Sequence, residues 1–548
     1  MVTDRVRPHR IAGAAALIAV LTVVSRVAGF GRTMVFAWAV GDTDLGDTYV
    51  VANTIPNIIF EIVAGGALSS LVVPLLAPAI VAGDRNAVAR TASVLLAWVL
   101  AALVPLAAAL ALAARPVIQL IATDPGPGQV AAGTTMLQIF APQLPLYGVA
   151  IVLTGVLQAH RRFAWPVLAP LLSSVTVAAT YLLFAYVGPR GAGVAEVSTG
   201  GLLVLAVGTT AGVLVLAGCL VPQVARLGLR PVPGWHLPPG ERRRVRDLAV
   251  AGAVTLGAQN LALLVVLWRA WAGPEGSSVL FLLSQTIFLV PWAVLAVPLA
   301  TAAYPTMAET AASGDHFHFR TTLAATTRAT VLLCLLGAAA LAALAEPVAA
   351  LLADLMPTAR DSAAPLAAGL VGFAPGLVGY GLFAVLSRAL YARGEAVAAA
   401  VAAAGGWATV AATAVALSRV LAPDQRVLAL TAANSVGMTV LGGALLWVVA
   451  RRAGRTALAG LARTAAAGLA AAAAAVVCGR VVLGAVLPAG GPPPATASAG
   501  WGMLAGVVVG AVFAATAWLL DRDHVGPLAA AVVRRRRRLD GGEEETRG

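Results

Sequence analysis

The chain has 548 residues, 60% of them hydrophobic and only 11% charged, with a net charge of +13. A water-soluble domain carries about 25% charged residues, so this composition excludes an ordinary soluble enzyme and predicts an all-α, polytopic membrane protein whose apolar surface is covered by lipid. Every one of the 37 basic residues is Arg; without Lys an ATP-binding P-loop is excluded, and the positive charge lies in loops between apolar runs rather than in a nucleic-acid-binding patch.

Apolar runs of about 20 residues cross the roughly 30 Å hydrocarbon core as helices. Fourteen such spans are expected, near 11–40, 49–82, 91–114, 133–159, 164–187, 198–221, 248–272, 278–307, 326–350, 364–391, 396–419, 427–450, 457–483 and 499–520. The first run follows Arg5, Arg7 and Arg10 and continues without a cleavage site, so it reads as a retained helix. Placing the N-terminus in the cytoplasm puts 28 arginines in inside segments and seven at outside ends. That is the bias cytoplasmic loops show, and it predicts that both termini are cytoplasmic.

The organisation follows from these spans. Residues 1–10 are a cytoplasmic N-terminus, 11–221 a first six-helix half, and 222–247 a basic, Pro-rich cytoplasmic loop. Residues 248–450 form a second six-helix half, 451–520 a C-terminal helix pair, and 521–548 a charged tail. The run Arg534 to Arg538 in that tail reads either as a stop signal or as a contact with anionic lipid head groups. Pro56 and Pro74 in the second span are matched by Pro291 and Pro305 in the eighth, a faint sign of two related halves. Cys219, Cys334 and Cys478 lie singly in apolar segments, and His316 and His318 in a loop, which indicates neither a disulfide framework nor a metal site.

Charges inside a span cost roughly 2.5–3.5 kcal/mol each and mark candidate sites. The first span contains Ser25-Arg26-Val27-Ala28-Gly29-Phe30-Gly31-Arg32. Six residues apart, Arg26 and Arg32 do not share a face of a straight helix, so a bend at Gly29 or a wide cavity is expected. Arg32 alternatively snorkels to the interface. The second span carries Asn53, Asn57 and Glu61 at intervals of four, with Ser69 beyond, so one helix face is polar. Counting 18 residues back and 17 forward from Asp44 brings Arg26 and Glu61 to nearly the same depth, which predicts an ion pair between them. Gln259, Asn260, Ser284, Gln285 and Thr286 are further polar residues within spans.

The block from Ser25 to Arg32, the block from Asp47 through Asn53, Pro56 and Asn57, and Gly66 to Ser70 with Pro74 together resemble the MviN/MurJ family of lipid II flippases. The resemblance implies the fold of the multidrug/oligosaccharidyl-lipid/polysaccharide exporters. It also implies alternating access that carries a polyprenyl-pyrophosphate-linked peptidoglycan precursor from the inner to the outer leaflet. Ser25, Arg26, Arg32 and Asp47 match family positions, and the family's cavity arginines face the pyrophosphate. On this basis Ser25, Arg26, Arg32, Asn53, Asn57 and Glu61 are expected to bind substrate. Gly29, Asp47, Pro56 and Pro74 are expected to shape or gate the path. Many members carry a further arginine where this chain has Phe60 followed by Glu61; Gly65 replaces a glutamate, and Thr286 an arginine.

A lipid-linked precursor, membrane lipids and cell-wall synthesis proteins are the implied partners. No cofactor is expected, and coupling would come from the membrane potential or an ion. The alternatives to a flippase are an exporter of another substrate or a cell-wall scaffold without transport; no catalytic constellation points to an enzyme.

Overall fold

The computed structural model describes residues 8–62, 72, 75–76, 79–80, 82–229, 235, 241–356, 359–486 and 495–522; the side chains of 8–20, 241–255, 359–361, 486 and 495–499 are outside that description. Pro74, Gly65, Ser69, residues 230–234 and 236–240 of the expected 222–247 loop and the Arg534 to Arg538 run therefore lie outside the described residues, and the expected loop contains a short helix at Val221–Ala225 and the start of the helix Glu241–Trp271. The described chain is helical. Ten helices are long and apolar enough to cross a membrane, and eleven if the bent pair Ser362–Phe373 and Gly376–Ala392 counts as one span. These eleven coincide with eleven of the expected spans, and the others, at 11–40, 49–82 and 248–272, fall on incompletely described segments.

The chain divides into two compact units, residues 1–279 with 355–358, and 280–354 with 359–548. The first contains α1 (Pro8–Ala39), α2 (Asp44–Phe60), α3 (Arg85–Leu112), α4 (Ala114–Ile121), α5 (Gln129–Phe140), α6 (Gln143–Ala159), α7 (Ala164–Val187), α8 (Thr199–Gly218), α9 (Val221–Ala225) and α10 (Glu241–Trp271). α11 (Ser277–Pro291) begins in this unit. α1 packs along α7, α7 along α8, α3 along α6 and α2 along α5. α10, the seventh expected span, packs on α2 and α4 within this unit.

Helix starts carry the expected acceptors for free N–H groups. Thr43 Oγ1 accepts from Gly46 N–H at 3.2 Å, Asp84 Oδ1 from Ala87 at 2.9 Å and Ser198 Oγ from Gly201 at 3.1 Å. Lipid supplies no hydrophobic drive for helices to associate, so close packing of small residues takes its place. A Cβ at Gly208 or Gly212 would collide with Thr180 or Val177 of α7, and one at Gly148 with Val99 and Leu103 of α3.

The second unit contains the rest of α11, a π turn at Trp292–Ala296, and α12 (Val297–Ala312), α13 (His316–Ala343), α14 (Ala345–Ala353), α15 (Ala359–Phe373), α16 (Gly376–Ala392), α17 (Ala396–Val420) and α18 (Arg426–Arg452). The final pair is α19 (Leu461–Val486) and α20 (Ala495–Leu520). α13 starts ten residues before the expected span. Asp315 caps it by accepting from His318 N–H at 3.0 Å, which places Arg320 and Arg328 on the helix rather than in a loop. The final pair packs on α13 and α14. The start of α19 is fastened to the end of α20 where the fully buried Asp521 accepts from Thr464 Oγ1 at 2.7 Å and meets Arg463 Nε at 3.5 Å.

Each unit contains a span broken at an Ala-Pro step, and a hydroxyl from a neighbouring helix bonds into each break. Proline removes a backbone donor and ends the regular ladder. In the second unit, Ser435 of α18 donates to Gly372 O at 2.6 Å and accepts from Gly376 N–H at 3.0 Å, standing in for the lost bond between those residues. In the first unit, Thr210 of α8 donates to Ile139 O at 2.9 Å and accepts from Gln143 Nε2 at 3.1 Å. A hydroxyl inserted into the helical ladder is a recognised cause of a bend, and the second pair is bent by 44°.

Ser435→Ala leaves the buried carbonyl of Gly372 and the N–H of Gly376 without their partner. It is expected to destabilise the second unit by about 1–3 kcal/mol. Thermal unfolding of the detergent-solubilised protein checks this, and Ser435→Thr should recover part of the loss.

Candidate functional site

α1 runs unbroken through Gly29 and Gly31, so the expected bend at Gly29 is not needed to place the arginines. Gly29 is helical, and a Cβ there would meet nothing within 4 Å. Arg26 and its neighbours Val23, Val24 and Val27 are exposed, Ser25 is half-buried, and Arg32 is half-buried one turn before the buried Phe36. Because α1 packs along α7 rather than along α2, which it meets at Phe36 and Tyr49, equal depth does not bring Arg26 to Glu61. Among the described residues no ion pair joins them, and the expected pair is absent. Glu61 Oε2 instead accepts from Asn260 Nδ2 at 3.0 Å.

Arg32 stands beside a buried aromatic cluster. Phe36 lies 5.1 Å from Tyr49 and 5.2 Å from Tyr181, centroid to centroid, and Phe140 packs edge-on to Tyr49 at 5.7 Å. The Tyr49 hydroxyl is 2.8 Å from both the Tyr181 hydroxyl and Thr209 Oγ1. Among the described residues no carboxylate pairs with Arg32.

On α2 the polar stripe is present. Asn53 and Asn57 are half-buried, Glu61 is exposed, and Asn57 Nδ2 donates to Asn53 O at 3.0 Å. Pro56 is buried within the helix. The helix loosens into a π turn at Glu61 and Ile62, a feature that often marks functional positions. Phe60, just before it, stacks on Tyr147 of α6 with centroids 4.6 Å apart. In the second unit Trp292, the first residue of the π turn, lies 4.7 Å from Tyr380 with the rings tilted by 36°.

Tyr147 and Tyr380 escaped the sequence reading, yet a repeat marks both. Phe140-Ala141-Pro142-x-Leu144-x-x-Tyr147-Gly148 recurs as Phe373-Ala374-Pro375-x-Leu377-x-x-Tyr380-Gly381. This carries the relation between halves further than the proline pattern of the second and eighth spans.

Asp47, at the start of α2, is 6% exposed. Its Oδ2 accepts from Gly276 N–H at 2.8 Å, and its Oδ1 from Ser278 at 2.9 Å and Val279 at 3.3 Å. It thus caps α11 from another helix. Gly276, at φ +80°, allows the turn to approach, since a Cβ there would strike the backbone of Asp42. Asp44 N–H donates to Glu275 Oε1 at 2.7 Å, and Asp44 Oδ1 accepts from Val194 N–H at 2.8 Å. Of the other polar span residues, Ser284 is buried in the second unit where a Cβ on Gly369 would meet it, and Thr286 bonds back to Leu282 O at 2.8 Å.

The chain matches the family model described as "Lipid II flippase MurJ" over residues 36–490. It is 26% identical over 388 residues to a lipid II flippase MurJ of Burkholderia cenocepacia, covering 68% of this chain and 71% of that one. It is 31% identical over 233 residues to a Synechocystis protein described as a probable lipid II flippase MurJ, covering 40% and 41%. Among solved structures it is similar to a lipid II flippase MurJ in an inward closed conformation, with a TM-score of 0.71, 15% identity and coverage of 93% and 99%. It is also similar to an inward-facing MATE family transporter of the MOP superfamily, with a TM-score of 0.63, 13% identity and coverage of 78% and 98%.

Proposed function

The chain belongs to the lipid II flippase MurJ family, and from that premise we propose that it carries lipid II from the inner to the outer leaflet of a bacterial plasma membrane by alternating access. The observation that carries the reading for this chain's own residues is Arg32. It is a half-buried guanidinium inside a span, one turn before the Phe36 that packs on Tyr49 and Tyr181, and without a carboxylate partner among the described residues. A guanidinium keeps its charge and offers a planar fork that suits phosphate oxygens. A pyrophosphate supplies the counter-charge that the protein withholds.

The remaining roles follow from position. Arg26, exposed and about 9 Å further along α1, meets the phosphates before Arg32 does, and Ser25 lies next to it. Asn53 and Asn57 offer amides to the head group from α2. Asp47 and Pro56 hold and shape the helix pair that gates the path, and Gly29 keeps α1 slender between the two arginines. The arginine distribution supports cytoplasmic termini. Translocation needs no bond made or broken by the protein, so the chain acts as a transporter and not as an enzyme, and the cell-wall machinery that uses its product is its functional partner.

Proteoliposomes test the reading. Labelled lipid II placed in the inner leaflet should become accessible to an external reagent only when the native chain is present. Accessibility no faster than in protein-free vesicles would refute it.

A further inference from the structure

The first unit carries two opposite charges that do not pair with each other. Phe36, one turn beyond Arg32 on α1, packs on Tyr49 of α2, the helix that ends at Glu61, yet among the described residues Arg32 and Glu61 form no ion pair. Glu61 is exposed. Its Oε2 is held by Asn260, which is only 2% exposed and whose amide also donates to Leu256 O at 3.0 Å. Both amide protons of Asn260 are therefore committed. The amide orients the carboxylate without neutralising it, and Oε1 has no partner among the described residues.

An ionised side chain within a span is retained where it meets a counter-charge, water or a ligand. The Glu61 N–H is shared between Asn57 O and Ile58 O, and the preceding residue, Phe60, is held by its stack on Tyr147. A fixed carboxylate repels phosphate. The anionic part of a ligand therefore lies on the Arg32 side, and the Glu61 side selects a cation. A divalent metal needs several oxygen ligands, and the described residues contain no group of three acidic, His or Cys side chains that could hold one.

The geometry points to Glu61 as a specificity-determining residue that receives a primary ammonium on the head group of the transported lipid, while Arg32 receives its phosphate. An ammonium is a compact charge with three donors. It fills Oε1, the acceptor that Asn260 leaves open. The substrate class is thus an amine-bearing, polyprenyl-pyrophosphate-linked head group. This deepens the flippase reading and rests on it.

Binding to the purified full chain should be compared for a lipid-linked precursor with one free primary amine and for the same lipid after N-acetylation. The native chain is expected to bind the free amine about tenfold more tightly. Glu61→Gln, which keeps an oxygen for Asn260, should bring the ratio to about one. Equal affinity for both lipids in the native chain, or an unchanged preference in Glu61→Gln, would overturn the inference. Binding of neither lipid by the native chain would instead remove the flippase reading beneath it.

Discussion

Arg32→Ala is expected to weaken lipid II binding by about 100-fold, because charge-assisted hydrogen bonds to phosphate contribute about 1.5–3 kcal/mol each and a guanidinium makes them in pairs. The loss should be specific to the pyrophosphate. A lipid lacking phosphates should bind the native chain and the variant alike. Arg32→Lys keeps a charge but loses the fork, so it should fall between the two. Binding titrations with lipid II and with a phosphate-free polyprenol-linked analogue check this. An Arg32→Ala chain that binds lipid II normally would show that the phosphate is held elsewhere.

The largest expected effect on stability is at Asp47. Its carboxylate serves three backbone N–H groups, at Gly276, Ser278 and Val279. Alanine leaves all three buried without an acceptor, at a cost of about 3 kcal/mol or more. Asparagine keeps an oxygen for Ser278 and Val279 but sets its amide nitrogen against the Gly276 N–H, so it falls between alanine and the native residue. Thermal unfolding in detergent should show Asp47→Ala well below the native chain, with Asp47→Asn between the two and Asp44→Ala above Asp47→Ala. Asp44 accepts a single N–H, from Val194, through its side chain, and its own N–H still reaches Glu275. An Asp47→Asn protein as stable as the native chain would contradict the capping role.

The membrane class and most spans were legible because lipid imposes length and apolarity on every crossing helix, whatever its neighbours. Asp47 was legible only through resemblance. Its three donors come from residues 276–279, far along the chain, and no local pattern announces them. The Arg26–Glu61 pair failed for a physical reason. Helical rise fixes depth along an axis, but not which helix lies alongside, and α1 lies along α7. Asn260 stood out as a polar residue within a span, while its partnership with Glu61 depends on α10 packing against α2. Tyr147 and Tyr380 carry no charge and so raised no signal on their own. The Phe-Ala-Pro repeat would have found them, since the same break recurs with the same spacing to the tyrosine. Thr210 and Ser435 are ordinary helix hydroxyls in sequence. Their role exists only where a neighbouring helix is broken by proline.

The repeat also bears on how each unit bends. Each broken span receives one hydroxyl from a neighbouring helix: Thr210 serves the carbonyl of Ile139, and Ser435 serves both the carbonyl of Gly372 and the N–H of Gly376.

The most direct test of the central claim is made in cells depleted of their own flippase and supplied with this chain, at equal membrane levels of native protein and Arg32→Ala. The amount of lipid II reaching the outer leaflet is measured. The account predicts that the native chain restores it and that Arg32→Ala does not. Restoration by both would contradict the role given to Arg32. No restoration by a well-expressed native chain would contradict lipid II transport itself.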